Sequence, residues 1–129
     1  MESDVLVVDD SAAIRKILQR VLRQTGMVIR TILEAGDGQQ ALDVLKGQSV
    51  HLVLTDINMP KMDGLQLLRA LKAAPEWRSI PVVMITTEGG EAKVAEAVRL
   101  GASGYVRKPF TADQIKEKLV GFLEPALRL

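Results

Sequence analysis

Five short apolar runs alternate along this chain with five stretches of helical periodicity. The runs occupy residues 5–8, 30–35, 52–55, 82–86 and 105–107, the second being the most polar at its ends. After the first run, Ile14, Ile17, Leu18, Val21 and Leu22 recur at i, i+3, i+4, i+7 and i+8, which lays one apolar stripe along a helix. Ser11 is its expected N-cap and Gly26 its stop. A second helix opens at Asp37-Gly38-Gln39-Gln40, a cap with an amide three residues on; it buries Ala41, Leu42 and Leu45 and stops at Gly47. A third carries Leu65, Leu68 and Leu71 and ends before Pro75. The fourth, over residues 91–100, is entered through Gly89-Gly90 and has only a thin stripe of Val94 and Val98. Another capping box, Thr111-Ala112-Asp113-Gln114, opens a fifth with Ile115, Leu119, Phe122 and Leu123 on one face.

Strict alternation of strands and helices predicts an α/β fold, with parallel strands covered on both faces. The first, third and fourth runs are apolar throughout rather than alternating, as strands buried on both faces are. With five strands the expected arrangement is flavodoxin-like and doubly wound, in the order 2-1-3-4-5. Ligands then bind beyond the carboxyl ends of the strands, where the order reverses between the first and third. At 129 residues the chain is expected to be one domain over 1–129, with no output domain. The absence of Cys removes disulfides and thiolate metal sites, and a net charge of +1 gives no general pull toward nucleic acid or acidic lipid. No apolar stretch approaches the roughly 20 residues that span a bilayer. The acidic start, Met1-Glu2-Ser3-Asp4, does not read as a signal peptide. A soluble, cytoplasmic, monomeric protein is expected.

The strand ends carry the chemistry. The first delivers Asp9 and Asp10, the third Asp56, the fourth Thr86 and Thr87, and the fifth Lys108. Three carboxylates at one sheet edge repel one another and need a cation. An oxygen-only set without His or Cys selects Mg²⁺ over zinc. Mg²⁺ keeps waters and bridges to phosphate, so a phosphoryl group is the natural ligand, with Lys108 and a Thr hydroxyl as further partners. A carboxylate can itself be the nucleophile and form an aspartyl-phosphate. Asp56, alone at the end of the central strand, is the preferred candidate, whereas Asp9 and Asp10 form the paired metal cradle. Any one of these acids could merely end a strand or cap a helix; the set of three with Lys108 argues otherwise.

Three segments, Leu6-Val7-Val8-Asp9-Asp10-Ser11, Asp56-Ile57-Asn58-Met59-Pro60-Lys61-Met62-Asp63-Gly64 and Gly101-Ala102-Ser103-Gly104-Tyr105-Val106-Arg107-Lys108-Pro109-Phe110, resemble in order and spacing the receiver domain of two-component response regulators. The likeness covers essentially the whole chain and is greatest to the stand-alone chemotaxis regulators. It implies that Asp56 accepts a phosphoryl group from a (CheA-like) histidine kinase. Asp10, Asp56 and the backbone carbonyl of Asn58 would ligate Mg²⁺, with Asp9 acting chiefly through water. Lys108 would pair with the phosphoryl oxygens, beside a Lys108-Pro109 bond that is usually cis in the family. Thr86 would move toward the phosphoryl group and Tyr105 would turn into the space left. That switch reshapes the face of the fourth helix, fifth strand and fifth helix, where a flagellar motor switch protein or a phosphatase would dock. Such a protein is a signalling module and not an enzyme, beyond accepting and losing its own phosphoryl group. Two departures stand out. Thr87 lies where many relatives have Ala or Gly and narrows the phosphodonor's path. Ile57 replaces the Trp of the best-known chemotaxis relatives. Arg107 is expected to point to solvent.

Other functions remain to be separated from this one. A shuttle in a phosphorelay or another motility regulator lies in the same class. An Mg²⁺-dependent aspartyl phosphatase is a different class, but such enzymes place a second Asp two residues after the nucleophile, where this chain has Asn58. A flavin module would need aromatics that are scarce here. Lys16, Arg20 and Arg23 read as a solvated face, with a kinase-docking surface as the alternative. His51 reads as an exposed loop residue, Trp77 as packing over the connection from the third helix to the fourth strand, and Asp63 as organising the turn before Gly64.

Overall fold

A computed structural model describes residues 2–87 and 90–123; Gly89 of the expected Gly89-Gly90 entry to the fourth helix lies outside them. The elements run β1 (Ser3–Val8), α1 (Ala12–Gln24), β2 (Ile29–Ala35), α2 (Gly38–Gly47), β3 (Leu52–Thr55), α3 (Gly64–Ala73), β4 (Val82–Thr86), α4 (Glu91–Arg99), β5 (Gly104–Arg107) and α5 (Ala112–Leu119). All strand pairs are parallel, in the order β2-β1-β3-β4-β5. The flavodoxin-like order expected from the alternation is therefore the one observed.

Alternation along each strand divides the core in two. Leu6 and Val8 of β1, Val53 of β3 and Val82 and Met84 of β4 pack with α2, α3 and α4, through Ala41, Leu45, Leu67, Leu68, Leu71 and Ala97. Val5 and Val7, Leu52 and Leu54, Val83 and Ile85 face the other way, onto Leu18 and Leu22 of α1 and Ile115 and Leu119 of α5. The most polar run, β2, is an edge strand with solvated middle residues, which explains its weak pattern.

The helix ends follow local chemistry. Ser11 caps α1 through the Ile14 N–H, and Thr111 with Gln114 forms the expected capping box of α5. Asp37 caps α2, but the Gln40 side chain accepts from the Gly36 N–H instead of closing a box on Asp37. Asp63 and Gln66 make a full capping box on α3, giving the turn before Gly64 its order. Gly26 follows α1 with φ +75°, a conformation that favours glycine. Lys72 near the end of α3 donates to the carbonyls of Arg78 and Ile80, and burial pushes its ammonium pKa down.

Two side chains depart from the periodic reading. Ile17 is 43% exposed although it lies on the apolar stripe of α1. Val98 is 63% exposed; the anchor of α4 is Ala97, a small residue that lets the helix approach the sheet. Phe122 and Leu123 lie past the regular part of α5 and still pack with Ile115 and Leu119 on one side of the core, as the stripe predicts. His51 is not a loose loop residue. Its Nδ1 accepts from the Asp4 N–H at 2.9 Å and its N–H donates to the Asp4 carbonyl at 2.8 Å. Trp77 is partly buried against the α2/α3 side of the core, after the end of α3 as expected.

Asp4 itself is buried at the amino edge of the sheet, where its carboxylate accepts from the Arg30 guanidinium and the Thr31 hydroxyl. The Arg30 hydrogen bonds, then that of Thr31, hold the carboxyl well below the usual carboxylate range. A folded-state pKa below the unfolded value of about 3.9 means the unfolded chain takes up this proton first as pH falls. The contribution is whole above that value and is lost below it. Urea midpoints measured downward from pH 5 should therefore fall less steeply for Asp4→Asn than for wild type.

Close approach decides a second position. A Cβ on Gly64 would lie 2.0 Å from the backbone oxygen of Asp56, and the Gly64 N–H donates to the Ile57 carbonyl at 2.8 Å. Gly64→Ala should cost about 3 kcal/mol, as overpacking against backbone does, read as a lower urea midpoint at unchanged m-value.

Candidate functional site

The strand ladders continue one residue past the strands at the carboxyl edge. The Asp9 N–H donates to the Ala35 carbonyl at 3.1 Å, the Asp56 N–H to Val8 at 2.9 Å and the Lys108 N–H to Thr86 at 3.0 Å. Each site residue is thus held by the neighbouring strand's backbone. The β1–α1 turn is set by the Asp9 carboxylate, whose Oδ1 accepts from the Ser11 N–H at 2.9 Å. Asp56 Oδ1 accepts from the Ile57 N–H at 2.7 Å, which fixes the orientation of that carboxylate. Lys61 in the following loop takes the left-handed conformation (φ 66°), and the loop is tied to α2 by the Gly38 N–H on the Met62 carbonyl at 3.0 Å.

Asp9, Asp10 and Asp56 each present a carboxylate oxygen within 4.8 Å of the other two. Asp10 is exposed, whereas Asp9 is only 2% exposed. Lys108 reaches into the group from after β5. Its Nζ lies 2.7 Å from Asp9 Oδ2 and 3.4 Å from Asp56 Oδ2, and the Lys108-Pro109 bond is cis. The resemblance assigns Lys108 to the phosphoryl oxygens; in this structure its ammonium bridges Asp56 and Asp9 and lies nearer to Asp9. Both Lys108 and Asp56 side chains are 12% exposed, enough to meet a small ligand while weakening the screening of their attraction. Asn58 is exposed in the β3–α3 loop.

An all-oxygen donor set of this size fits a hard divalent cation such as Mg²⁺. A cation there would neutralise the excess of three carboxylates over one ammonium and leave room for an anionic oxygen ligand.

Thr86 is fully buried at the end of β4. By alternation it lies on the sheet face of Met84, the face against which partly buried Tyr105 also packs. Arg107 is exposed as expected, and Thr87 is exposed at the mouth of the site.

Arg15 was not singled out by the sequence, which drew attention to Lys16, Arg20 and Arg23. Lys16 and Arg20 are solvated, and Arg23 donates to the Ile29 carbonyl at 3.0 Å. Arg15, one position before Lys16 and 18% exposed, donates through Nη1 to the Asp9 carbonyl at 2.5 Å and through Nε to Glu34 at 2.9 Å. It joins α1, the end of β1 and β2 directly behind the acidic cluster. The available signal was position: on helical spacing Arg15 follows Ser11 by one turn, so it returns over the strand end. The Arg15 hydrogen bond is also the main reason the Glu34 carboxyl lies below its ordinary value. Arg15→Gln should cost about 1 kcal/mol in urea unfolding. In carboxyl-resolved NMR the Glu34 titration should move upward, and an unmoved Glu34 would refute this assignment.

A family model described as the response regulator receiver domain matches residues 5–120. The chain is 42% identical over 116 residues to a chemotaxis protein CheY homolog of Campylobacter jejuni, covering 89% of this chain and 88% of that one. It is 43% identical over 115 residues to chemotaxis protein CheY-3 of Vibrio cholerae, covering 89% and 87%. Among solved structures, chemotaxis response regulator CheY4 of Vibrio cholerae superposes with a TM-score of 0.83 at 30% identity, over 95% of this chain and 100% of the other.

Proposed function

The chain belongs to the response regulator receiver family, and from that premise we propose that it is a phosphorylation-activated chemotaxis switch whose acceptor is Asp56. The observation that supports this most is the meeting of Asp9, Asp10 and Asp56 oxygens within 4.8 Å, with Lys108 Nζ 3.4 Å from the Asp56 carboxylate. Phosphoryl transfer demands little covalent chemistry from a protein and much positioning and charge stabilisation. The carboxylate of Asp56 attacks phosphorus, the bond to the donor breaks, and an acyl phosphate remains. Lys108 supplies a positive charge for the oxygens of the transferring group. Asp10, Asp56 and the Asn58 carbonyl, with Asp9 beside them, would hold Mg²⁺, which when bound would neutralise charge on the phosphoryl oxygens.

The donor in this reading is the phosphohistidine of a CheA-like kinase. The product adds charge and acceptor oxygens at one sheet edge. Thr86 turns toward them and Tyr105 occupies the space behind it, so the face of α4, β5 and α5 reports the state of Asp56 to a flagellar switch protein, while a separate phosphatase resets it. The protein acts in the cytoplasm as a monomer, by contact rather than by turnover of a substrate. Among the described residues no helix is long and apolar enough to cross a membrane.

Intact mass after incubation with acetyl phosphate and Mg²⁺ tests the acceptor. Wild type should gain the mass of one phosphoryl group and Asp56→Asn should gain none. A wild-type chain that stays unlabelled even with a cognate kinase would refute the reading.

A further inference from the structure

Asp10 is the exposed member of the acidic cluster, so packing does not hold its carboxylate. Its place comes from the peptide groups on either side of it. A peptide group is planar, so a hydrogen bond to its oxygen or its N–H orients both residues that it joins. In the peptide before Asp10, the Asp9 carbonyl accepts from Arg15 Nη1 at 2.5 Å. In the peptide after it, the Ser11 N–H donates to Asp9 Oδ1 at 2.9 Å. The Ser11 carbonyl in turn accepts from the Arg15 main-chain N–H at 3.1 Å. Arg15 therefore grips the turn on both sides of Asp10, with its side chain before and its main chain after. The guanidinium is itself fixed. Its Nε donates to Glu34 Oε1 on the edge strand β2 at 2.9 Å, and the side chain is largely buried. Glu34 also offsets the positive charge that Arg15 brings behind three carboxylates.

We propose that Arg15 is a positioning residue for the cation: through the Asp9–Asp10 peptide it holds the Asp10 carboxylate beside that of Asp56, and Glu34 holds Arg15 in place. The inference rests on the reading of Asp10 and Asp56 as Mg²⁺ ligands. Two properties of Arg15 act on that ion with opposite sign. As a charge it repels a divalent cation, so its removal strengthens Mg²⁺ binding. As a clamp it orders Asp10 before the ion arrives, so its removal adds an ordering cost and weakens binding. The clamp prevails here. The ion pair with Glu34 leaves little net charge on the pair, whereas the bond to the Asp9 carbonyl is charge-assisted and shielded from water. The identity of the ion matters too, because Mg²⁺ demands near-ideal octahedral geometry and tolerates little play in a ligand. Arg15→Lys separates the two properties: it keeps the charge but loses the planar fork that reaches Asp9 and Glu34 at once.

The test is the Mg²⁺ affinity of the full chain without a phosphodonor, from the amide NMR shifts of Ser11 and Asn58 during a Mg²⁺ titration. The Mg²⁺ dependence of Asp56 labelling by acetyl phosphate, read by intact mass, accompanies it. Arg15→Gln should weaken Mg²⁺ binding about tenfold, the lower end of what losing a hydrogen-bond partner behind a metal ligand costs. Half-maximal labelling should move to higher Mg²⁺ in proportion, with the rate at saturating Mg²⁺ near that of wild type. Arg15→Lys should weaken binding as well, although the charge is kept. Lys16→Gln, which removes the neighbouring solvated cation of α1, should not weaken it. An Arg15→Gln chain that binds Mg²⁺ as tightly as wild type, or more tightly, overturns the positioning role and leaves Asp56 as the acceptor. Wild-type affinity in Arg15→Lys, or an equal loss in Lys16→Gln, also overturns it. If Arg15→Gln fails to fold, Arg15→Lys decides the matter alone. A wild-type chain that binds no Mg²⁺ overturns both the role and the reading of the cluster.

Discussion

The site depends on one constraint: every strand of the sheet runs in the same direction, so the last residue of each arrives at one edge. Parallel pairing alone would bring strand ends together only approximately. Here the backbone ladder extends one residue further, through the N–H groups of Asp9, Asp56 and Lys108, each bonded to the neighbouring strand's carbonyl. Three charged side chains from distant parts of the sequence are thereby held in register by main-chain hydrogen bonds rather than by their own attraction. This matters because carboxylates so close would otherwise spread apart. The apolar core below, fully buried at Val8, Leu54 and Ile85, excludes water from the supporting layer and strengthens the electrostatics above it.

The same sheet separates two tasks. Side chains alternate across each strand, so adjacent residues of one strand serve opposite faces. Ile85 belongs to the α1/α5 side and Met84 to the α4 side; Val106 and Tyr105 divide in the same way. The residues that end the strands therefore stand over two separately packed faces, with Thr86 on the face of Met84. Lys108 is the natural intermediary. Its ammonium is shared between Asp9 and Asp56, while its N–H is bonded to Thr86, so a new anion that draws the side chain also bears on the end of β4.

Much of this was legible in the sequence because it is carried by abrupt transitions. An apolar run that stops at Asp9-Asp10 or Asp56 can be read without knowing any contact, and the strand order follows from the β/α alternation. What was not legible is which residues of an apolar stripe meet another element. Ile17 fits the apolar stripe of α1 yet is 43% exposed, and in α4 the buried residue is Ala97 rather than Val98. Arg15 and His51 escaped for another reason. Each bonds a main-chain atom, of Asp9 or of Asp4, and no residue type in the partner announces such a bond.

The weak packing of α4 then acquires a physical sense. A phosphoryl group can shift a conformational equilibrium only by the difference in its interactions with two states, a few kcal/mol at most. An element anchored like α3, with Leu67, Leu68 and Leu71 fully buried, would resist so small a bias. In α4 Ala97 is the one fully buried side chain, and the helix begins at Gly90, which offers no side-chain cap. Its far end is firmer: Ala102 N–H bonds to the Ala97 carbonyl, Ser103 N–H bonds to Val82, and Gly101 lies against the Lys72 stem. The C-terminal end of α4 is thus held by more bonds than its start.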